Sequence, residues 1–124
     1  MTDESRIADV LERVDRISRA TVGGRDVFLE SELIQDAVIR NLEVIGEAAK
    51  NVGPRTKRKF PKVPWQEMAR FRDLAIHHYG RILADEVWGI VANDLVEIRR
   101  ALARGATARP TKAPRTGRRG PARG

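Results

Sequence analysis

Apolar residues recur three and four positions apart over most of the first hundred residues, which is the spacing that places them on one face of an α-helix. The first stretch predicts a helix from Glu4 to Ser18, followed by the stop signal Gly23-Gly24. A second predicted helix runs from about Glu30 to Val52 and ends at Gly53-Pro54. Both predicted helices keep charged residues on the opposite face, as expected for helices that pack around one core.

The second half of the chain predicts two more helices. Residues 55 to 63 are polar and predict a loop, after which Pro64-Trp65 opens a third helix that ends near Gly80. A fourth helix is predicted from about Asp85 to Arg104. Gly46 lies inside the second helix and predicts the close approach of another backbone. Since no strand-like alternation occurs and the links are short, we expect an all-α, antiparallel four-helix bundle.

The length and composition limit the classes of protein to which the chain can belong. With 124 residues, we expect one helical domain at residues 1–104 and a disordered basic tail at residues 105–124. The absence of cysteine excludes disulfides, thiolate nucleophiles and cysteine-based metal sites, so we expect no metal and no cofactor. Neither a signal peptide nor a membrane span is indicated at the polar N-terminus, which favours a soluble protein of the cytoplasm.

The positive charge is unevenly distributed along the chain. Residues 104–124 contain seven basic and no acidic residues, whereas the first 103 residues contain 17 of each. The net charge of +7 therefore lies in residues 104–124, the end of the fourth predicted helix and the tail, and any nucleic-acid surface on the bundle has to be a local patch. One candidate patch precedes the third helix; a solvated loop is its alternative explanation. We call it the basic cluster, and it consists of Arg55, Lys57, Arg58, Lys59 and Lys62.

A short segment of the third helix concentrates residues with phosphate chemistry. Arg72 can hold a phosphodiester through permanently charged donors, and Asp73 can orient it or a histidine. His77 and His78 are the only histidines, so any imidazole proton transfer must use one of them. On an ideal helix Tyr79 lies within roughly 20° of Arg72, whereas His77 lies about 140° away. Helical geometry therefore permits a shared site without requiring it.

Two polar residues of the second helix are weaker candidates. Asn41 and Glu47 interrupt an otherwise apolar face and are six residues apart. They line the same cleft as the arginine or they face solvent. For the Arg72 segment itself, the structural alternative is a surface charge, a capping histidine and a half-buried aromatic on an ordinary amphipathic helix.

From about residue 4 to residue 103 the sequence resembles the HepT-like toxin ribonucleases of the HEPN superfamily. Their signature is an arginine and a polar residue, then three further residues, a histidine, any residue and a tyrosine, matched here by Arg72, Asp73, His77, His78 and Tyr79. The surrounding sequence also resembles family members at Gln35-Asp36-Ala37-Val38, Ile45-Gly46-Glu47-Ala48, Pro64-Trp65 and Val87-Trp88-Gly89-Ile90-Val91. The tail has no counterpart in this resemblance.

The resemblance implies a HEPN-type bundle and a metal-independent endoribonuclease that works as a homodimer, with Arg72 and His77 of both chains in a cleft between them. It also implies a toxin encoded beside a minimal nucleotidyltransferase antitoxin that transfers AMP onto Tyr79. AMP there would place bulk and negative charge beside the residues that receive RNA. The chain departs from many relatives at Gly80, where they carry an aromatic residue.

Two other functions are compatible with the same residues. The first is a non-catalytic helical partner, or a substrate-binding subunit, of a nucleotidyltransferase. The second is an RNA-binding module whose affinity comes from the basic tail. Cleavage of RNA separates the ribonuclease from both.

Overall fold

The computed structural model describes residues 2–76 and 84–108, with side chains at residues 2–75 and 84–103. Every regular element in these residues is helical. A π-helical turn, Ile90–Asp94, joins the last two helices. The α-helices are α1 Asp3–Ala20, α2 Arg25–Glu30, α3 Glu32–Asn51, α4 Pro54–Lys59, α5 Trp65–Ile76, α6 Ala84–Gly89 and α7 Leu95–Ala108.

The predicted antiparallel four-helix bundle is confirmed, with α1, α3, α5 and the α6–α7 segment as its long members. Asp3 at the start of α1 contacts Gly53 just beyond the end of α3, so these two helices run in opposite directions. The segment containing α6 contacts α2, which follows α1, and α7 then runs back along α1, where Arg99 binds Asp15. None of the described helices is long and apolar enough to cross a membrane.

The prediction of a loop at residues 55 to 63 is wrong for its first half, because Pro54–Lys59 forms α4. In the sequence Gly53-Pro54 predicts only the end of the preceding helix. The same pair is also the N-cap and first residue of the next one, a position that suits proline because its missing N–H would have no partner. The cations of its last turn lie near the free carbonyls at the C-terminus, which favour positive charge.

Two other predicted helices are divided. The second helix does not begin at Glu30, because Ser31 is extended and its side chain accepts a hydrogen bond from Ile34 N, which starts α3 separately from α2. The fourth helix contains the π-helical turn and continues to Ala108, four residues beyond its predicted end. Apolar periodicity does not reveal either feature, because one extended residue or one widened turn barely changes the spacing.

Helices α3 and α5 form the most extensive contact in the bundle. Fully buried side chains such as Leu42, Ile45 and Met68 fill it, each contributing about 2 kcal/mol of hydrophobic stabilisation. Gly46 lies at the point of closest approach, where a Cβ would be 2.5 Å from the backbone nitrogen of Arg72. The predicted close approach at Gly46 is confirmed, and the neighbouring backbone is that of Arg72.

The short helix α4 is held at both ends. At its start, the Asp3 carboxylate accepts hydrogen bonds from Gly53 N at 3.2 Å and from Thr56 Oγ1 at 2.6 Å. The Thr56 bond is the main cause of the lowered pKa of Asp3. At its end, Trp65 Nε1 donates to Phe60 O, and the two rings meet edge to face with centroids 6.4 Å apart. These contacts fix α4 against α1 and α5.

The two ends of α3 differ in charge. Near its start, Glu30, Glu32 and Asp36 are exposed and have no cation partner among the described residues. Just beyond its end lie α4 and the basic cluster. A helix of this length spans about 30 Å, so these three acidic side chains and the basic cluster lie near opposite ends of α3.

Candidate active-site cleft

Arg72 lies on the exposed side of the α3–α5 contact, and its backbone position is set by Gly46. The absence of a side chain at position 46 lets the backbone of α5 approach α3 directly. As a result Glu47, the next residue of α3, reaches the arginine: Glu47 Oε1 lies 2.6 Å from Arg72 Nε. The position of Arg72 is therefore set by two contacts, the packing of α5 on Gly46 and the ion pair with Glu47.

The guanidinium group of Arg72 is held on one edge only. Its side chain is 35% exposed and Glu47 is 54% exposed, so the pair is accessible to solvent. The other nearby carboxylate, Asp73 Oδ1, is 3.9 Å from Arg72 Nη1, too far for a hydrogen bond. Among the described residues no side chain accepts a hydrogen bond from the Nη atoms, which form the edge that can bind two oxygens of a phosphate.

An open cleft with a volume of about 480 Å³ lies beside this arginine. We call it the Arg72 cleft. Its three cations each face a carboxylate: Arg72 pairs with Glu47, Arg40 with Glu43, and Arg6 with Asp3. The cleft is thus close to neutral overall. It is lined by Arg6, Asp9, Arg40, Glu43, Val44, Glu47, Ala48, Asn51 and Arg72.

The two polar residues predicted on the second helix have different surroundings. Glu47 lines the cleft and contacts Arg72. Asn41 is buried between α1 and α3, where its Oδ1 accepts from Arg13 Nη1 at 3.2 Å and its Nδ2 donates to Ala37 O at 2.8 Å. Asn41 does not line the Arg72 cleft, and its two hydrogen bonds explain why a polar residue is tolerated on the buried face.

The structure brings together only part of the predicted site. Asp73 is exposed on α5 and adjoins Arg72 without a hydrogen bond. His77, His78 and Tyr79 lie outside the described residues, as does Gly80. Since α5 ends at Ile76 in the described part, the segment that carries the two histidines and the tyrosine begins one residue beyond it.

One carboxylate with a perturbed pKa lies away from this cleft. Asp94 is on the π-helical turn, and its pKa is raised, mainly because burial disfavours the charged form and further because Glu67 is nearby. Neither residue lines the Arg72 cleft. π-helical turns are common at functional sites, yet this one contributes no residue to the described lining.

Two features around the arginine could not be predicted from the sequence. It did not indicate that Arg6 and Asp9 of α1 form one wall of the cleft, because contacts between distant helices leave no local pattern. It also did not indicate the attachment of α4 to Asp3. The proline after Gly53 was the one available signal, since it favours the start of a helix as well as the end of one.

The chain matches one family of known proteins over most of its length. Residues 7–104 match the family described as "Ribonuclease HepT-like". The chain is 39% identical over 93 residues to "Probable ribonuclease HepT" of Thermococcus cleftensis, covering 75% of this chain and 83% of that protein. It is 53% identical over 68 residues to "Putative RNase MJ0127" of Methanocaldococcus jannaschii, covering 55% of this chain and only 56% of that protein. No solved structure matches the chain significantly.

Proposed function

Because this chain belongs to the ribonuclease HepT-like family, we propose that it is an endoribonuclease that cuts RNA without a metal ion, with Arg72 and His77 as catalytic residues. The observation that carries the proposal is the way in which the guanidinium of Arg72 is held. Its Nε edge is held by Glu47 while its Nη edge has no described acceptor, at the margin of an open cleft. An arginine held in this way is ready to receive a phosphate.

Arg72 would bind the two non-bridging oxygens of the scissile phosphate through its Nη atoms. Negative charge on these oxygens grows as the ribose 2′-hydroxyl attacks phosphorus, so the contact strengthens towards the transition state. Glu47 would act as a positioning residue, because it limits the orientations of the guanidinium without occupying the Nη edge. Asp73 adds negative charge at 3.9 Å and would help to fix the same side chain.

His77 would move the protons. The 2′-hydroxyl loses a proton as its oxygen bonds to phosphorus, and the 5′-oxygen gains one as its bond to phosphorus breaks, leaving a 2′,3′-cyclic phosphate and a 5′-hydroxyl. A histidine titrates near neutral pH and can serve at either step. His78 is the supporting residue next in sequence. In a homodimer with the Arg72 clefts facing each other, one His77 from each chain would be available to a single phosphate.

We further propose that the protein is a toxin neutralised by a nucleotidyltransferase antitoxin, which transfers AMP onto Tyr79. Tyr79 follows Arg72 by seven residues, and it is the only tyrosine of the chain. The AMP phosphate would compete with RNA for the free edge of the arginine, so modification would block cleavage by occupying the site.

The catalytic assignment is tested with purified full-length protein and single-stranded RNA in the presence of EDTA. Arg72→Ala and His77→Ala should each reduce cleavage by at least about 100-fold. Arg70→Ala is the matched control, because Arg70 is exposed on the same helix and pairs only with Glu67, and it should cleave normally. Cleavage that survives either of the first two substitutions contradicts the assignment. A wild-type protein that does not cut RNA but binds a nucleotidyltransferase tightly favours the non-catalytic partner instead.

The modification is tested by incubating the protein with the cognate nucleotidyltransferase and ATP. The intact mass should rise by one or more AMP units, and RNA cleavage should fall in proportion. Tyr79→Phe should lose the mass increase completely. A full increase in that variant would place the modification on another residue.

A further inference from the structure

We infer that the basic cluster on and after α4 is a second RNA-binding surface, which holds the phosphate backbone of the substrate beside the Arg72 cleft. The inference rests on the proposed ribonuclease function and adds to it where the substrate strand lies on the protein. Its ligand is a single-stranded RNA recognised through its phosphates. The cluster comprises Arg55, Lys57, Arg58, Lys59 and Lys62.

The first observation is that none of these five cations has a carboxylate partner. All 17 acidic side chains of the protein belong to the described residues, and none forms an ion pair with a member of the basic cluster. Several arginines of the long helices differ in this respect: Arg16, Arg40 and Arg99 each pair with an acid. Five neighbouring cations repel one another unless an anion is bound, so the arrangement favours a polyanionic ligand.

The second observation is that the cluster is presented on a fixed support. Asp3 holds the start of α4 through Gly53 N and Thr56 Oγ1, and Trp65 holds its end through Phe60 O. Thr56 faces α1, which leaves the residues on the other sides of this short helix exposed. Arg55, Arg58 and Lys59 are three and four positions apart and therefore share one exposed face.

The third observation is the position of α4 relative to the cleft. Asn51 lines the cleft at the end of α3, and α4 begins three residues later. On the other side, α5 begins near the end of α4 and reaches Arg72 after seven residues, a rise of about 10 Å. The basic cluster is thus on the order of 15 Å from Arg72, which a stacked strand covers in about five nucleotides at roughly 3.4 Å each.

The cleft and the basic cluster differ in net charge, and each could supply what the other lacks. Every cation that lines the Arg72 cleft already faces a carboxylate, so the cleft has little net charge with which to attract RNA. The basic cluster supplies that attraction. Its aromatic neighbours Phe60 and Trp65 are buried, so neither ring is available for a base to stack on. We therefore expect contacts to phosphate, which position the strand without selecting its sequence.

The test measures RNA binding separately from cleavage. The probe is a fluorescent single-stranded RNA of roughly 15 nucleotides with 2′-O-methyl riboses, which cannot be cut because the attacking hydroxyl is blocked. The variant Arg55→Gln, Arg58→Gln, Lys59→Gln removes the three cations of the exposed face in the full-length protein. The charge-matched control is Arg16→Gln, Arg19→Gln, Arg100→Gln, which removes three exposed cations of α1 and α7 that do not line the cleft.

The α4 variant should bind the probe about tenfold more weakly at physiological salt, and the slope of log Kd against log salt should fall by about 2. The control should bind within about twofold of wild type. Both should keep the wild-type far-UV spectrum and melting temperature, because all six positions are exposed. With cleavable RNA, the loss of kcat/KM in the α4 variant should be greater for a long strand than for a trinucleotide.

Equal affinity in the two variants overturns the inference and would leave the cluster as a surface for an acidic protein. The readout does not depend on catalysis. If the wild type fails to cut RNA but the α4 variant alone loses binding, the proposed function fails while the binding surface stands. If wild type cuts RNA and the two variants bind the probe equally, the proposed function stands while the binding surface fails.

Discussion

The Arg72 cleft and the basic cluster both expose several cations, but the two surfaces differ in whether those cations have acidic partners. In the cleft each arginine faces a carboxylate, and the Nη edge of Arg72 has no acceptor among the described side chains because Glu47 meets the Nε edge. On α4 none of the cations has an acidic partner among the described residues. Pairing restricts where a guanidinium can point, whereas the lack of pairing leaves a charge available to a ligand.

Under the proposed function, the two surfaces would make different contributions to RNA binding. The cleft is suited to orientation at one phosphate, an effect that depends on geometry over a few tenths of an ångström. The basic cluster is suited to attraction, which acts over the Debye length of about 8 Å and tolerates side-chain motion. Substitutions that disturb packing, pairing or attachment should therefore affect the two surfaces by different amounts.

The largest effect is expected from Gly46→Ala, which should damage the cleft and spare α4. The added methyl group would lie 2.5 Å from the backbone nitrogen of Arg72 and 2.8 Å from its Cβ, so α3 and α5 must separate. We expect a loss of about 2 to 3 kcal/mol in the free energy of unfolding and a fall in kcat of about 100-fold from the displaced arginine. Urea unfolding and RNA cleavage at saturating substrate measure the two effects.

Gly89→Ala is the matched control. Gly89 is also helical, but a Cβ there has no neighbour within 4 Å, so alanine should raise stability by up to about 1 kcal/mol. RNA binding to α4 should persist in both variants. If Gly46→Ala is as stable and as active as wild type, the close approach of the two helices does not locate Arg72.

An intermediate effect is expected from Glu47→Gln, which removes the charge that holds Arg72. The guanidinium should then meet a bound phosphate more readily but in a less defined orientation, so kcat should fall about tenfold while KM falls or stays unchanged. Glu12→Gln, which affects the exposed Arg16 pair on α1, serves as the control. Steady-state kinetics would rule out a positioning role if Glu47→Gln retained the wild-type kcat.

The smallest effect is expected from Asp3→Ala, which should loosen α4. It also removes the partner of Arg6 at the edge of the cleft but leaves the Arg72–Glu47 pair in place, so cleavage should persist. Amide exchange at Gly53 should become faster, and the affinity for long RNA should fall about twofold to threefold, because the cations lose their fixed support. Glu4→Ala is the control, since Glu4 is the next residue and is exposed without a partner. Unchanged exchange at Gly53 would show that Asp3 does not anchor α4.

The same contact predicts a dependence on pH. The pKa of Asp3 is lowered in the folded protein, chiefly by Thr56, so its stabilising contribution is present above the ordinary value of 3.8 and is lost as the pH falls through the folded value. The difference in melting temperature between wild type and Asp3→Ala should therefore be greatest near neutral pH. It should vanish in strong acid, where Asp3 is protonated in both states.

Much of the bundle was predictable because its long helices each bury an apolar stripe. The close approach at Gly46 was predictable for a related reason, since a glycine inside a long helix usually marks a close contact. The pairing of Arg72 with Glu47 was not, because it depends on the crossing of α3 and α5 and on the rotation of each helix. The burial of Asn41 was not predictable for the same reason, since its partner Arg13 lies 28 residues away on another helix.

The short helix α4 was mispredicted because six residues without an apolar stripe have no helical periodicity to detect. Its ends are held by residues outside the segment, Asp3 from 53 residues away at one end and Trp65 from the start of α5 at the other. The basic character of the segment was visible in the sequence. The sequence did not indicate that this segment is held rigidly, or that it lies beside the cleft.

Glu30, Glu32 and Asp36 at the start of α3 and the basic cluster beyond its end separate opposite charges by about 30 Å. In the field of an RNA strand this charge separation would produce a torque that turns α4 towards the strand, and the three acidic side chains away from it, before any contact is made. Collisions would then be productive more often than random orientation allows. The consequence is kinetic: added salt should slow the association of RNA by more than it speeds dissociation.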